Sequence, residues 1–364
     1  MDADPTCATH PPCALTPLRH PPHRATNGTR QWYGPQAQQP HRSVSVMAPP
    51  NPLSIAAQSA RTLRAFSSRI PIGGGVIARS LDDAVRGRIV LITGASSGIG
   101  KAAALDIGKA GGTVLLVARS RDKLDEVRRE IEALGGTARV HPGDLTDVDD
   151  IDRLCNEVLE QHGAVDILVN NAGKSIRRSI DRAYGRFHDF QRTMQLNYFA
   201  PVKLILNLLP VMRERQSGHI INISTIGLQM NTPRFSAYVA SKAALDAFSR
   251  SIGPEIIADG VHITTIYMPL VRTPMIAPTK IYDRFPTLTP EEAANMITEA
   301  IRKRPKRMAT TLGNIGQLGY AIAPGAQDLI ANRAYQLFPE GEKPQEEPTA
   351  EQRAFAQATR GVHW

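Results

Sequence analysis

The chain predicts an α/β fold, a doubly wound parallel sheet with helices on both faces and a helical C-terminal extension. Three observations predict it. From Arg88 onward, short apolar runs alternate with helical stretches across short joints, the pattern of a parallel sheet. The runs are continuously apolar and do not alternate with polar residues, so their strands are covered on both faces. The first strand-to-helix joint is rich in glycine, as a phosphate-binding turn requires.

The elements follow in order. Residues 1–50 hold ten Pro and little patterned hydrophobicity, and are expected to be disordered. They are Arg-rich and acid-poor, but the Pro pairs at 11–12 and 21–22 would break a targeting helix, and no secretory apolar core is present. Met47 is an alternative start. Residues 53–70 would form a short basic amphipathic helix that packs on the domain or touches a membrane surface. The whole of 1–80 is read as a basic extension, with eight Arg against Asp2 and Asp4. It supplies +6 of the net +9, so the remainder is ordinary in charge and no nucleic-acid surface is expected.

The catalytic domain is expected over 81–310. Its strands are read at Ile89–Ile92, Val114–Ala118, Ala138–His141, Asp166–Val169, His219–Ile223 and Val261–Tyr267. Helices fill 98–110, 121–134, 147–162, 187–213 and 237–258. Residues 270–288 read as a long loop. A helix follows at 290–303, with Thr289 as N-cap and Pro290 at its first position. An apolar extension spans 311–340 and a polar tail 341–364. Cys7, Cys13 and Cys155 form neither a disulfide framework nor a zinc site, which fits a reducing, cytoplasmic setting. No His/Cys/Asp cluster stands at ligand spacing, so no metal is expected. His188, His219 and His262 are read as solvated or structural.

The first strand runs into Thr93-Gly94-Ala95-Ser96-Ser97-Gly98-Ile99-Gly100. Glycines there permit positive φ and close approach of a phosphate, and the following helix offers free N–H groups. The second strand ends Ala118-Arg119-Ser120. A carboxylate there would repel a ribose 2′-phosphate. Ala118 removes that repulsion and Arg119 supplies a fork of donors, so NADP(H) is expected over NAD(H). Asp144, beside Leu145, is placed to meet the adenine amine. Asn171, Ala172 and Gly173 follow the fourth strand and would flank the ribose.

Tyr238 and Lys242 stand four apart on one helix, and so on one face. A cation near the phenol would favour phenolate, making the pair a proton donor or acceptor for alcohol and carbonyl chemistry.

With these residues the chain resembles the short-chain dehydrogenase/reductase family over about 86–275. The glycine turn, Asn170–Gly173, Asn197, and Tyr238 with Lys242 occur in family order. The resemblance implies a Rossmann-type sheet, hydride transfer with a nicotinamide cofactor, and a dimer or tetramer. It implies Tyr238 as acid or base, Lys242 on the phenol and the nicotinamide ribose, and Asn197 holding a relay water. Pro269, Val271 and Thr273 would flank the nicotinamide carboxamide. Two departures stand out. Thr225 occupies the place of the family's serine with Ser224 beside it, and either hydroxyl is a candidate for substrate binding. Leu270 replaces a frequent glycine.

The stretch from Arg234 through Met268–Met275 to Tyr282 is similar to the reductase domain of bacterial fatty acyl-CoA reductases. That similarity implies a long-chain aldehyde or acyl-CoA substrate, and the apolar 270–338 region agrees with it. Two alternatives stand beside this reading. One is the same chemistry on a steroid, polyol or other small alcohol. The other is a non-catalytic NADP(H) sensor or scaffold, favoured by threonine at 225.

Overall fold

The computed structural model describes residues 79–277, 285 and 287–337. The expected N-terminal disorder, the alternative start, the 53–70 helix and the polar tail lie outside them. Among the described residues seven parallel strands form one sheet in the order β3-β2-β1-β4-β5-β6-β7. They are β1 Ile89–Thr93, β2 Thr113–Ala118, β3 Thr137–Pro142, β4 Ile167–Asn170, β5 Gly218–Thr225, β6 Val261–Met268 and β7 Arg307–Met308. Six match the expected runs to within two residues at either end. The two-residue β7 was missed, because a run of two carries no periodicity.

The order reverses between β1 and β4, so the strands leave a crevice at their carboxyl ends there. Apolar clusters cover both faces. One gathers Ile92, Leu116, Ile221 and Ile297, and the other Leu91, Leu115, Leu168 and Ile220. Neighbouring residues on one strand thus serve opposite layers, which is why the runs read as continuous.

Among the described residues the helices are α1 Leu81–Val85, α2 Gly98–Lys109, α3 Arg121–Ala133, α4 Val148–His162, α5 Phe187–Met194, α6 Ala200–Glu214, α7 Ile226–Gln229, α8 Ser236–Ile256, α9 Pro290–Lys303, α10 Thr311–Ile322 and α11 Pro324–Leu337. The expected single helix over 187–213 is interrupted by a π-helical turn at Gln195–Phe199. Such turns re-aim one side chain inward, and here that residue is the fully buried Asn197. Helix α9 has its expected cap: the Thr289 hydroxyl accepts from Glu292 N and the Glu292 carboxylate from Thr289 N. The apolar extension is two helices, broken where Pro324 follows Ala323.

Candidate active site

The glycine turn after β1 is shaped by contacts that leave no room for side chains. Gly94 has φ +67°, and a Cβ there would lie 3.0 Å from both Ala172 Cα and Asn171 Nδ2. At Gly100 it would fall 2.4 Å from Gly94 O. Thr93 sits beneath the turn. Its hydroxyl donates to Val169 O (3.2 Å) and accepts from the Asn171 and Ala172 amides (3.0 Å each). Asn171 returns the contact, Nδ2 donating to Thr93 O at 2.9 Å. Thr93 and Gly100 therefore brace the turn from β1 to β4, while Gly94, Ser96, Ser97, Gly98 and Ile99 line the cavity above it. Ser97 is the N-cap of α2, yet its hydroxyl caps no helix N–H and is available to a ligand.

That cavity, of about 1310 Å³, collects most of the residues singled out from the sequence. Ala118, Arg119 and Ser120 line one end, with Asp144 and Leu145 beside them. Lys123, not anticipated, stands there too, one helical turn beyond Ser120. Its signal was a cation four residues after Arg119, and so on the same side of the opening turn of α3. Asp144 Oδ1 is occupied by the Thr146 amide (2.9 Å) and hydroxyl (2.8 Å), leaving Oδ2 for a ligand. Ala172 and Gly173 line the middle, and Pro269, Leu270, Val271 and Thr273 the opposite wall. Thr273 approaches Gly98, whose Cβ would lie 3.1 Å from Thr273 Cγ2. Leu270 O accepts from Leu288 N at 2.9 Å and Arg272 N donates to Leu288 O at 2.8 Å, so this wall is strapped to the segment before α9.

Tyr238 and Lys242 point into the same cavity from α8. The phenol is hydrogen-bonded to the Thr225 hydroxyl, and loss of hydration pushes it up to about 12 in spite of that bond. Lys242 is buried. Its Nζ donates to Ile223 O at 2.7 Å, and desolvation pushes the ammonium down to about 8. Proximity to Lys242 was expected to lower the phenol. Burial raises it instead, opposed only by the Thr225 hydroxyl, with no contribution from Lys242. Thr225 Oγ1 also accepts from Gly227 N at 3.1 Å. Ser224, buried in the same wall, has no hydrogen-bond partner on its hydroxyl.

Asn197 does not line the cavity. Its amide clamps the main chain of Lys174 from both sides: Nδ2 donates to Lys174 O at 2.9 Å and Oδ1 accepts from Lys174 N at 2.8 Å. Nδ2 also donates to Ser241 Oγ at 2.9 Å, tying the π turn to α8 between Tyr238 and Lys242. Below them a buried chain runs from Asn170 through Asn222 to Ser249, each bond 2.8 Å, and fixes α8 to β4 and β5. His219 is also structural. The Thr264 hydroxyl donates to Pro305 O at 2.5 Å, so it is His219 Nε2 that donates to Thr264 at 2.9 Å. Among the described residues no group of three His, Cys, Asp or Glu could hold a metal.

The far end of the cavity is largely apolar, with Met275, Ile276, Leu312, Ile330, Ala331 and Ala334 around Gln327, whose buried Nε2 has no hydrogen-bond partner. Arg234 joins it to the rest. Its backbone is left-handed at φ +69°, its carbonyl accepts from Arg178 N at 2.7 Å, and its guanidinium donates to Tyr335 O at 2.9 Å and stacks 3.9 Å over the Tyr335 ring.

The family model of the short chain dehydrogenases matches residues 88–281. The chain belongs to the short-chain dehydrogenase/reductase family. A fatty acyl-CoA reductase of Acinetobacter baylyi is 55% identical over 285 residues, 77% of this chain and 96% of that protein. An uncharacterised oxidoreductase of Mycobacterium tuberculosis H37Rv is 50% identical over 297 residues, 79% of this chain and 87% of the relative. Among solved structures, a metagenomic short-chain oxidoreductase in complex with NADP matches with TM-score 0.53 and 29% identity, covering 62% of this chain and 99% of that one. A short-chain dehydrogenase from Streptomyces avermitilis matches with TM-score 0.58 and 30% identity, covering 68% and 97%. The protein is thus an oxidoreductase of the NAD(P)-binding short-chain dehydrogenase/reductase family. The glycine cradle, the uncapped Ser97 and the carboxylate-free end of β2 fit a dinucleotide.

Proposed function

We propose that this oxidoreductase uses NADP(H) to reduce a long-chain aldehyde or acyl thioester, and that the apolar end of the cavity takes the chain. The observation that carries the reading is that end itself, built by α10, α11 and the segment after β6. Apart from Gln327 and Tyr335, the lining from α10 and α11 would give a polyol's hydroxyls no partner, whereas an alkyl chain is stabilised by about 0.8 kcal/mol per buried CH₂. The similarity to the Acinetobacter baylyi fatty acyl-CoA reductase agrees with it.

The preference for NADP(H) rests on Arg119, Ser120 and Lys123 at the end of the cavity where a 2′-phosphate would lie, with no acidic side chain at the close of β2. Gly94, Ser96, Ser97, Gly98 and Ile99 would hold the pyrophosphate, Asp144 and Leu145 the adenine, and Thr273 the carboxamide. When bound, the nicotinamide supplies the hydride. Tyr238 and Thr225 hydrogen-bond the carbonyl oxygen, and Tyr238 gives its proton to the alkoxide as the C–H bond forms. Lys242 stabilises the phenolate left behind. Asn197 acts one layer back, holding Lys174 and Ser241. With an acyl thioester the alkoxide would instead expel the thiolate, which would take the Tyr238 proton, to give the aldehyde, and a second NADPH would reduce that to the alcohol.

The deciding experiment follows NADPH oxidation with aldehydes, acyl-CoAs and ketones of graded chain length. Rising kcat/KM with length, and weaker use of NADH, is expected. A profile that is flat with length or favours polyols would overturn the substrate reading.

A further inference from the structure

We propose that the cavity wall at Lys174, Arg177 and α11, with the adjoining residues 178–187, docks on an anionic lipid surface, so that the cavity opens toward the bilayer. The proposal deepens the lipid-substrate reading and rests on it only for what crosses the mouth.

Two observations carry the surface itself. The first is charge. Residues 174–192 hold one Lys and five Arg against Asp181 and Asp189, a net +4 in nineteen residues. Asp189 is buried and receives three of the guanidiniums, from Arg178 (2.9 Å), Arg186 (3.1 Å) and Arg192 (2.5 Å). One carboxylate thus organises three cations without neutralising them all, and Lys174, Arg177 and Arg192 line the cavity.

The second is exposed apolar surface interleaved with that charge. Ile180 is 61%, Tyr184 82% and Phe187 71% exposed. Large aromatics so exposed cost free energy in water, and basic residues mixed with Tyr and Phe suit the headgroup region. On α11, Leu329 is 75% and Ile330 63% exposed, and Ile330 also lines the cavity. The two sides are joined by Arg234, which accepts from Arg178 N and donates to Tyr335 O. No charged residue occurs between Arg307 and Asp328, so the turn from α10 to α11 presents only neutral side chains.

Charge complementarity favours lipid over a second copy of this chain. A twofold contact on this patch would oppose +4 to +4. Anionic headgroups neutralise the same charge while the apolar side chains enter the interface.

The test is flotation of the full chain with vesicles of phosphatidylglycerol and phosphatidylcholine, against phosphatidylcholine alone. Because residues 1–80 are also basic, the comparison between variants carries the result. Preferential flotation with anionic vesicles is expected. Y184S/F187S is expected to lose about tenfold or more in vesicle affinity, and R182Q about fivefold. An NADPH-induced rise in Tm shows that each variant is folded, and size exclusion reports its mass. Equal flotation of wild type and both variants, or no preference for anionic lipid, would overturn the surface. So would a change of oligomeric mass in Y184S/F187S with flotation unaltered. Flotation without turnover of vesicle-borne hexadecanal would support the surface while counting against the long-chain reading.

Discussion

At the scale of single residues, the adjacent hydroxyls of Ser224 and Thr225 separate by their partners. Threonine's hydroxyl meets the Tyr238 phenol, whereas the buried Ser224 hydroxyl bonds nothing. Removing the first strips a donor from the developing oxyanion, and removing the second strips a group already unsatisfied. We therefore expect Thr225→Val to lower kcat by about 100-fold and Thr225→Ser to keep most of it. Ser224→Ala should stay within about threefold. Steady-state kinetics of all three decides. A large loss in Ser224→Ala alone would return the role to the serine. Sequence could present both hydroxyls but not choose, since the choice depends on which way each points from the end of β5. Lys242 gives a second expectation. Its ammonium is pushed down to about 8, so it is charged below that pH and neutral above it. The phenol, pushed up to about 12, stays protonated throughout. The log kcat/KM for reduction should be level at lower pH and fall as pH rises through about 8. A level profile up to pH 10, an interval of about two units above that midpoint, would show that the charge on Lys242 is not needed.

At the scale of elements, what sequence periodicity reports is burial, and it located six strands and the helices between them because each buries a continuous face. It merged α5 and α6 because a π turn inserts a residue without changing the apolar content. It left 312–338 as one apolar region because the docking of α10 is written in glycines. A Cβ at Gly313 would lie 2.2 Å from Gln229 Oε1, and one at Gly316 2.2 Å from Met230 Sδ. Those close approaches seat α10 on α7, with Gln229 Nε2 donating to Asn314 and Gln317 at 3.4 and 3.3 Å. Gly316→Val should therefore tilt α10 away and widen the apolar end. The expected effect is a KM for hexadecanal raised about tenfold, with KM for butanal within about twofold, because only the long chain reaches that wall. Equal effects on both aldehydes would mean that α10 supports the fold and not the pocket.

At the scale of the whole molecule, the dinucleotide would lie across the reversal of strand order, touching the ends of β1, β2, β4 and β5 and the wall after β6. Its binding is therefore linked to the stability of both halves of the sheet, and any ligand held only by the folded state raises Tm. A cofactor at about 100 times its Kd adds about 2.7 kcal/mol. For a domain of this size that is a rise of about 5–10 °C. The charge pattern decides which cofactor does it. Residues 81–364 carry only +3 overall, yet Arg119 and Lys123 both line the cavity, and β2 closes on Ala118 with no carboxylate there. NADPH should therefore raise Tm more than NADH at equal concentration. Arg119→Asp places a carboxylate where the 2′-phosphate would sit, and should reverse the order by weakening NADPH while leaving the NADH shift in place. Thermal melts of both proteins with both cofactors read this without any knowledge of the substrate. If NADPH and NADH stabilise the wild type alike, and Arg119→Asp alters neither, Arg119 is a solvated surface charge and the preference for NADP(H) fails with it.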